Sequence, residues 1–174
     1  DGYSVLFLQG GASTQFIMAP YNLLSVDGRA AYVNTGTWAG NAIKEGKTLG
    51  NIEVVASSED ANFNYIPKKF KIPSDAEYFH YTSNNTIFGT QYNAEPETGD
   101  VPLVCDTSSD MLHKKIDVSK YGVIYAGSQK NMGPAGCTLV IIRNDLLERS
   151  GDDIHTYLNY KVQGNSCIQR SFTQ

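Results

Sequence analysis

The chain has 174 residues and a mass of 19.1 kDa, which fits one domain with a sizeable core. Hydrophobic residues make up 41%, as in ordinary globular proteins. A formal net charge of −4 argues against nucleic-acid binding, which needs a concentrated basic surface. No apolar run reaches the roughly 18 to 20 residues of a membrane span, and the opening DGYSVLFLQGG lacks a charged signal-peptide front.

In chain order, apolar β-rich runs recur at Ser4–Gln9, Ala31–Asn34, Ile52–Ala56, Glu77–Thr82, Val101–Cys105, Gly122–Ala126 and Thr138–Ile142. Several are continuously apolar, as expected of strands covered on both faces. Helix-like stretches lie between them at Ser13–Leu24, Thr37–Thr48, Ser108–Lys115 and Asp145–Ser150. Ser13 and Thr37 suit N-caps, and Pro20 predicts a kink in the first helix. The polar, proline-bounded segment Ser57–Pro73 reads as an excursion carrying a connection, and the tail after Gly164 shows no pattern. Alternating strands and helices predict an α/β three-layer sandwich with a mostly parallel central sheet. Ligands of such sheets bind outside the carboxyl ends of the strands.

Three cysteines, Cys105, Cys137 and Cys167, are odd in number and widely spaced. They read as reduced thiols of a cytosolic protein, with no disulfide framework and no metal site. The three histidines, His80, His113 and His155, read as structural or surface residues. Only four arginines are present, Arg29, Arg143, Arg149 and Arg170, few for gripping a multiply charged anion.

Chemistry concentrates at strand exits. Gln9-Gly10-Gly11-Ala12-Ser13-Thr14 follows a strand and opens a helix. Its free N–H groups suit a phosphate, although a tight turn capped by serine would read the same. Lys130 lies in Gly127-Ser128-Gln129-Lys130-Asn131-Met132-Gly133 with no charged sequence neighbour. It is either an exposed loop lysine or an amine freed for nucleophilic work by partial desolvation. Asp106 ends an apolar run 24 residues before Lys130, room for a helix and a returning strand. It is either a helix cap or a carboxylate that meets a cation. Trp38, the lone tryptophan, is core or ligand platform, and Thr86 is a turn residue or a hydroxyl at the same edge. A planar, phosphorylated aldehyde with a basic nitrogen would use all five features. Pyridoxal 5′-phosphate is that molecule.

The segments FLQGGAST, YVNTGTWAGNAIKEGK, YTSNNTIFGTQY, PLVCDTSSDML and IDVSKYGVIYAGSQKNMGPAG resemble the phosphoserine aminotransferase family, fold-type I pyridoxal-phosphate enzymes of serine biosynthesis. The similarity runs from about residue 4 to about residue 166 and weakens around Ala61–Pro73. It implies the large domain of the aspartate-aminotransferase-like fold, a cytoplasmic homodimer, and amino transfer between glutamate and 3-phosphohydroxypyruvate to give 2-oxoglutarate and phosphoserine. It further implies that Lys130 carries the cofactor, Asp106 pairs with the ring nitrogen and Trp38 stacks on the ring. Ala12 and Ser13, helped by Gln129, hold the phosphate, and Thr86 bonds near the ring.

The chain also departs from the family, whose members are about twice as long. A preceding segment with a substrate-carboxylate arginine and a C-terminal small domain are expected to be missing. Gln169 and Arg170, in the ending NSCIQRSFTQ, stand where the family has an Asn-Thr pair reaching the neighbouring subunit's phosphate. The expectation for residues 1–174 is therefore an incomplete cofactor-binding large domain. Another fold-type I enzyme and a truncated, catalytically silent variant are the competing readings.

Overall fold

The computed structural model describes residues 2–170, with side chains through Ser166. Its strands are β1 (Tyr3–Gln9), β2 (Arg29–Asn34), β3 (Asn51–Ser57), β4 (Phe79–Thr82), β5 (Asn84–Asn85), β6 (Thr90–Gln91), β7 (Leu103–Asp106), β8 (Val123–Gly127) and β9 (Cys137–Arg143). Seven of them form one sheet in the order β1-β9-β8-β7-β4-β2-β3, while β5 and β6 pair as a separate hairpin. The pairs β2–β3, β2–β4, β4–β7 and β7–β8 are parallel, and β9 is antiparallel to both of its neighbours. Six strands thus share one direction and only β9 runs against them. This is the mostly parallel α/β sheet that the alternation of strands and helices predicts, and all seven anticipated strands are present.

Burial follows position in the sheet. Every residue of β4, β7 and β8 is buried, which is why these segments read as continuous apolar runs. The edge strand β1 alternates instead, with Leu6 and Leu8 buried and Val5 and Phe7 exposed.

Two cores result. The first joins Tyr32, Tyr78, Val104 and Tyr125 to residues of the helices α1 (Ala12–Leu23), α2 (Thr37–Gly46) and α3 (Asn144–Leu147). The second joins Phe79, Tyr81, Leu103 and Ile124 to Tyr92, Met111 and Tyr121 from irregular segments. Each large apolar side chain buried in this way contributes about 1.5–3 kcal/mol.

The sequence signals and the structure differ in three places. Thr107–Met111 makes a single turn, with Met111 N–H donating to the Thr107 carbonyl at 2.8 Å. Leu112, at φ 69°, turns the chain out of it, so no helix occupies Ser108–Lys115. The N-caps of α1 and α2 are Gly11 and Gly36, without side-chain caps; Ser13 and Thr37 lie inside the helices instead. Pro20 lies inside α1, where the sequence places it, and the helix continues to Leu23. A further helix, α4 (Tyr160–Arg170), covers the stretch that had no legible pattern. Its Gly164 faces Leu6 of β1 and Leu147 of α3, which an added Cβ would meet at 3.5 and 3.6 Å, ordinary packing distances.

Asn22 ties α1 to the chain leading into α4. Its side-chain N–H donates to the Met18 and Leu158 carbonyls at 2.8 and 2.7 Å, and its oxygen accepts from Tyr160 N–H at 2.9 Å. Tyr160 O–H in turn donates to Gln15 at 2.6 Å. Asn22 is 2% exposed, so deleting its amide strands buried partners that water cannot reach. Asn22→Ala is expected to cost about 2–4 kcal/mol, read in urea unfolding as a lower midpoint with an unchanged slope.

Candidate active site

Because the strands β1, β2, β4, β7 and β8 share one direction, their carboxyl ends meet at one edge of the sheet. Reading across that edge in sheet order, Ala12 and Ser13 follow β1 and Gln129 and Lys130 follow β8. Asp106 ends β7, Thr86 follows β4 on the β5–β6 hairpin, and Trp38 follows β2. Residues scattered over more than a hundred positions of sequence therefore converge. This edge is also where an open α/β sheet places its ligands.

The turn after β1 is built without side chains. Gly10 takes φ 101°, a left-handed conformation natural to glycine, and its N–H donates to the Gly136 carbonyl at 3.2 Å. The first turn of α1 carries neither a side-chain cap nor an acidic residue. The Ala12 and Ser13 amides are thus available to an anion, while Thr14 N–H donates to the Gly11 carbonyl at 3.1 Å, and the helix dipole favours an anion there. The lysine loop closes against this turn at Gly127, where a Cβ would lie 3.1 Å from Ala12 N and 2.7 Å from the Gln129 oxygen. The Gln129 amide also stands 3.7 Å from where a Gly11 Cβ would be. Ala12 and Gln129 are brought together, and Ser13 is exposed beside them.

Asp106 is 4% exposed. Its Oδ1 accepts from Ser108 N–H at 2.9 Å and from Ser108 Oγ–H at 2.6 Å, and Ser108 Oγ accepts from Gly127 N–H at 3.0 Å. Burial pushes the carboxyl pKa above its ordinary value. The Ser108 bonds and the Lys130 charge oppose that rise, and the Asp110 charge adds to it. Both hydrogen bonds fall on Oδ1, so Oδ2 remains for a cationic partner. The bond to Ser108 N–H is the cap-like contact that a helix start would have used, here serving a turn.

Lys130 Nζ donates to Thr86 Oγ1 at 2.9 Å and stands 4.6 Å from the centroid of the Trp38 ring. Trp38 itself is half-buried and packs partly on the first core. It is both a core residue and a platform with one face toward the lysine. Its Nε1, with Asn34 Oδ1 and Thr82 Oγ1, is buried without a hydrogen-bond partner among the described residues. The edge therefore offers a flat ring face, a primary amine, a hydroxyl, a carboxylate and free amides. This inventory can hold a flat, anionic guest with a basic ring atom, and can bond to it covalently through Lys130.

Two supporting residues escape the reading of the sequence. Ser108 had the aspect of a helix start, although Asp-x-Ser is the spacing at which a carboxylate turns back onto the next amides. Gly127 carries no signal beyond being small. His80 is buried, stacked on Tyr32 at 4.6 Å and bonded to Tyr125 Oη at 2.8 Å. Burial holds its pKa down at about 3, so it is a neutral part of the core. His113 and His155 are exposed, Cys105 and Cys137 are free, and the side chains of Cys167, Gln169 and Arg170 lie outside the described residues. Among the described residues no cluster of acids, histidines and cysteines could hold a metal ion, and no helix is long and apolar enough to cross a membrane.

This geometry has close counterparts. The chain is 57% identical, over 159 residues, to the phosphoserine aminotransferase of Flavobacterium johnsoniae, covering 91% of this chain and 44% of that one. In structure it resembles the phosphoserine aminotransferase from Bacillus circulans subsp. alkalophilus, with TM-score 0.93 and 47% identity over 97% of this chain and 47% of that one. It also resembles the PLP-bound phosphoserine aminotransferase from Trichomonas vaginalis, with TM-score 0.87 and 33% identity over 100% of this chain and 49% of that one. The chain spans less than half the length of these proteins. The family model for class-V aminotransferases matches residues 1–159, and the chain belongs to that family.

Proposed function

We propose that this chain is the cofactor-binding large domain of a phosphoserine aminotransferase. Such an enzyme moves an amino group between glutamate and 3-phosphohydroxypyruvate, giving phosphoserine and 2-oxoglutarate in serine biosynthesis. One observation carries the reading. Neighbouring parallel strands β7 and β8 deliver an acid and an amine to one edge, where the amine also touches Thr86 and the Trp38 face. The resemblance to proteins of that name supports the substrate pair. A homodimer in the cytoplasm completes the reading, in keeping with two free thiols, Cys105 and Cys137.

The residues present fit pyridoxal 5′-phosphate. The uncapped first turn of α1, with Ala12, Ser13 and Gln129, would hold the phosphate, and Trp38 would lie against the ring. Thr86 would hydrogen-bond beside the ring, Asp106 would face its nitrogen and Lys130 would bond to its aldehyde carbon. When bound, the cofactor supplies an electron sink that makes a proton on the substrate's α-carbon removable.

The remaining work belongs to the chain. Asp106, buried and with Oδ2 left without a hydrogen bond, would favour a proton on the ring nitrogen, because a carboxylate without a cationic partner is costly in that setting. Lys130, once its amine is free, would carry the proton between the substrate's α-carbon and the cofactor's aldehyde carbon, first as a general base and then as its conjugate acid. Thr86 orients that amine through its hydroxyl, and Trp38 closes one face to water.

Lys130→Ala is expected to lose the borohydride-fixed cofactor adduct in a mass spectrum and at least about 10³-fold in turnover. An adduct that persisted in this variant would overturn the assignment.

Asp106 gives a second test. Its carboxyl pKa in the folded protein lies above the value of roughly 3.9 of an unfolded aspartate. Its contribution to stability is therefore full below that value and lost as pH rises through the folded one. In protein freed of cofactor, Asp106→Asn should raise Tm at pH 8, by an amount corresponding to about 1 kcal/mol or more, and leave it unchanged near pH 3. In the loaded enzyme the same variant should retain cofactor yet turn over at least about 10²-fold more slowly.

A further inference from the structure

Ser108 has no part in the chemistry assigned above, yet it is the residue that Asp106 touches most closely. It is buried, 4% exposed, and its hydroxyl sits between two strand ends. On one side Ser108 Oγ accepts from Gly127 N–H, the last residue of β8, at 3.0 Å. On the other it donates to Asp106 Oδ1, the last residue of β7, at 2.6 Å. A free serine hydroxyl rotates to suit either role. Here the amide can only donate, so the hydroxyl proton is forced toward the carboxylate. Ser108 N–H, also a donor, aims at the same oxygen at 2.9 Å.

We propose that Ser108 is the positioning residue of this site, holding Asp106 ionised and in fixed orientation and tying it to the strand end from which Lys130 departs. The proposal rests on the reading of Asp106 as the ring-nitrogen partner. Two donors on Oδ1 favour the charged form, and hydrogen bonds to a charged group contribute about 1.5–3 kcal/mol. They also occupy Oδ1, so that only Oδ2 is presented to the site. The same hydroxyl stabilises the Gly127 amide, and Gly127 abuts Ala12 of the anion turn. One side chain thus links the acid, the lysine loop and the phosphate turn.

Other groups near the carboxylate do not substitute for it. Lys130 supplies an attractive charge and Asp110, on the same turn, a repulsive one. Tyr125, in register with Asp106, and Cys105, beside it, are neutral, with burial pushing both pKa values up. His80, bonded to Tyr125, is neutral above about pH 3. Of these groups only Ser108 both donates to Asp106 and accepts from the neighbouring strand.

The test titrates the Asp106 carboxyl carbon by ¹³C NMR in the complete protein freed of cofactor, for the parent, Ser108→Ala and Ser108→Thr. The alanine variant should move the midpoint upward by about one pH unit, a tenfold change in proton affinity, and threonine should restore it. In the loaded enzyme the acid limb of kcat/KM should shift upward by a similar amount in the alanine variant alone. A folded Ser108→Ala whose carboxyl titrates within a few tenths of a unit of the parent overturns the proposal. Should that variant not fold, Ser108→Cys, a weaker donor, must show a smaller upward shift, and no shift is again fatal. Because the titration needs no cofactor, its failure is separate from failure of the Lys130 adduct experiment.

Discussion

Parallel pairing constrains everything else in this protein. Antiparallel neighbours send successive strand ends to opposite edges, whereas parallel neighbours send them all to one. The pairings β2–β4, β4–β7 and β7–β8 carry four junctions to the same edge. Each junction is short and polar, and each follows a strand whose own residues are largely buried. Asp106 and Tyr125 are direct partners across β7 and β8, so the acid and the root of the lysine loop cannot drift apart without breaking the centre of the sheet. The reversed strand β9 serves the same end: its amino end meets that edge, and the Cys137 carbonyl accepts from Ser128 N–H at 2.9 Å to close the loop that bears Lys130.

The core under the edge is unusually rich in tyrosine. Tyr32 and Tyr78 share a hydrogen bond of 2.7 Å, Tyr125 is bonded to His80, and Tyr160 to Gln15. Burial raises the phenol pKa values and lowers that of the imidazole, so the whole set is neutral across the physiological range. That neutrality matters for the site above. A charged group beneath Asp106 would compete with the cation proposed as its partner, while a neutral polar layer fills space and pairs most of its own polar groups, His80 Nδ1 excepted.

Strand positions were readable because buried and half-buried strands leave apolar, β-rich runs, and seven such runs became seven strands. The order of those strands across the sheet was not readable, since no local signal states which run pairs with which. Lys130 and Asp106 stood out by contrast, one lacking charged neighbours and the other closing an apolar run. Ser108 did not, because a serine after Asp-Thr looks like a helix start until Leu112 is seen at positive φ. The glycine caps of α1 and α2 were equally hidden: serine and threonine next to them are better N-caps by propensity. Here the open amides of an uncapped turn are more useful than a satisfied one. Helix α4 was missed because Tyr160–Arg170 has low hydrophobicity and its anchors, Asn22 and Leu6, lie far away in sequence.

A buried carboxylate is normally a liability, and the pattern around Asp106 shows how the fold tolerates one. Its two donors come from Ser108, a residue two positions on, so the turn that supplies them forms with the strand end itself. The opposing charge comes from Lys130, on a loop anchored to the adjacent strand. These are short-range solutions, and they stabilise the ion only in part, since burial still dominates its titration. A fold selected for stability alone would place an apolar residue or an asparagine there. Retaining an incompletely satisfied acid at the mouth of a buried strand makes sense where a positively charged ring atom completes its shell. On the proposed function, the carboxylate's unmet demand for a cation would become affinity for that atom.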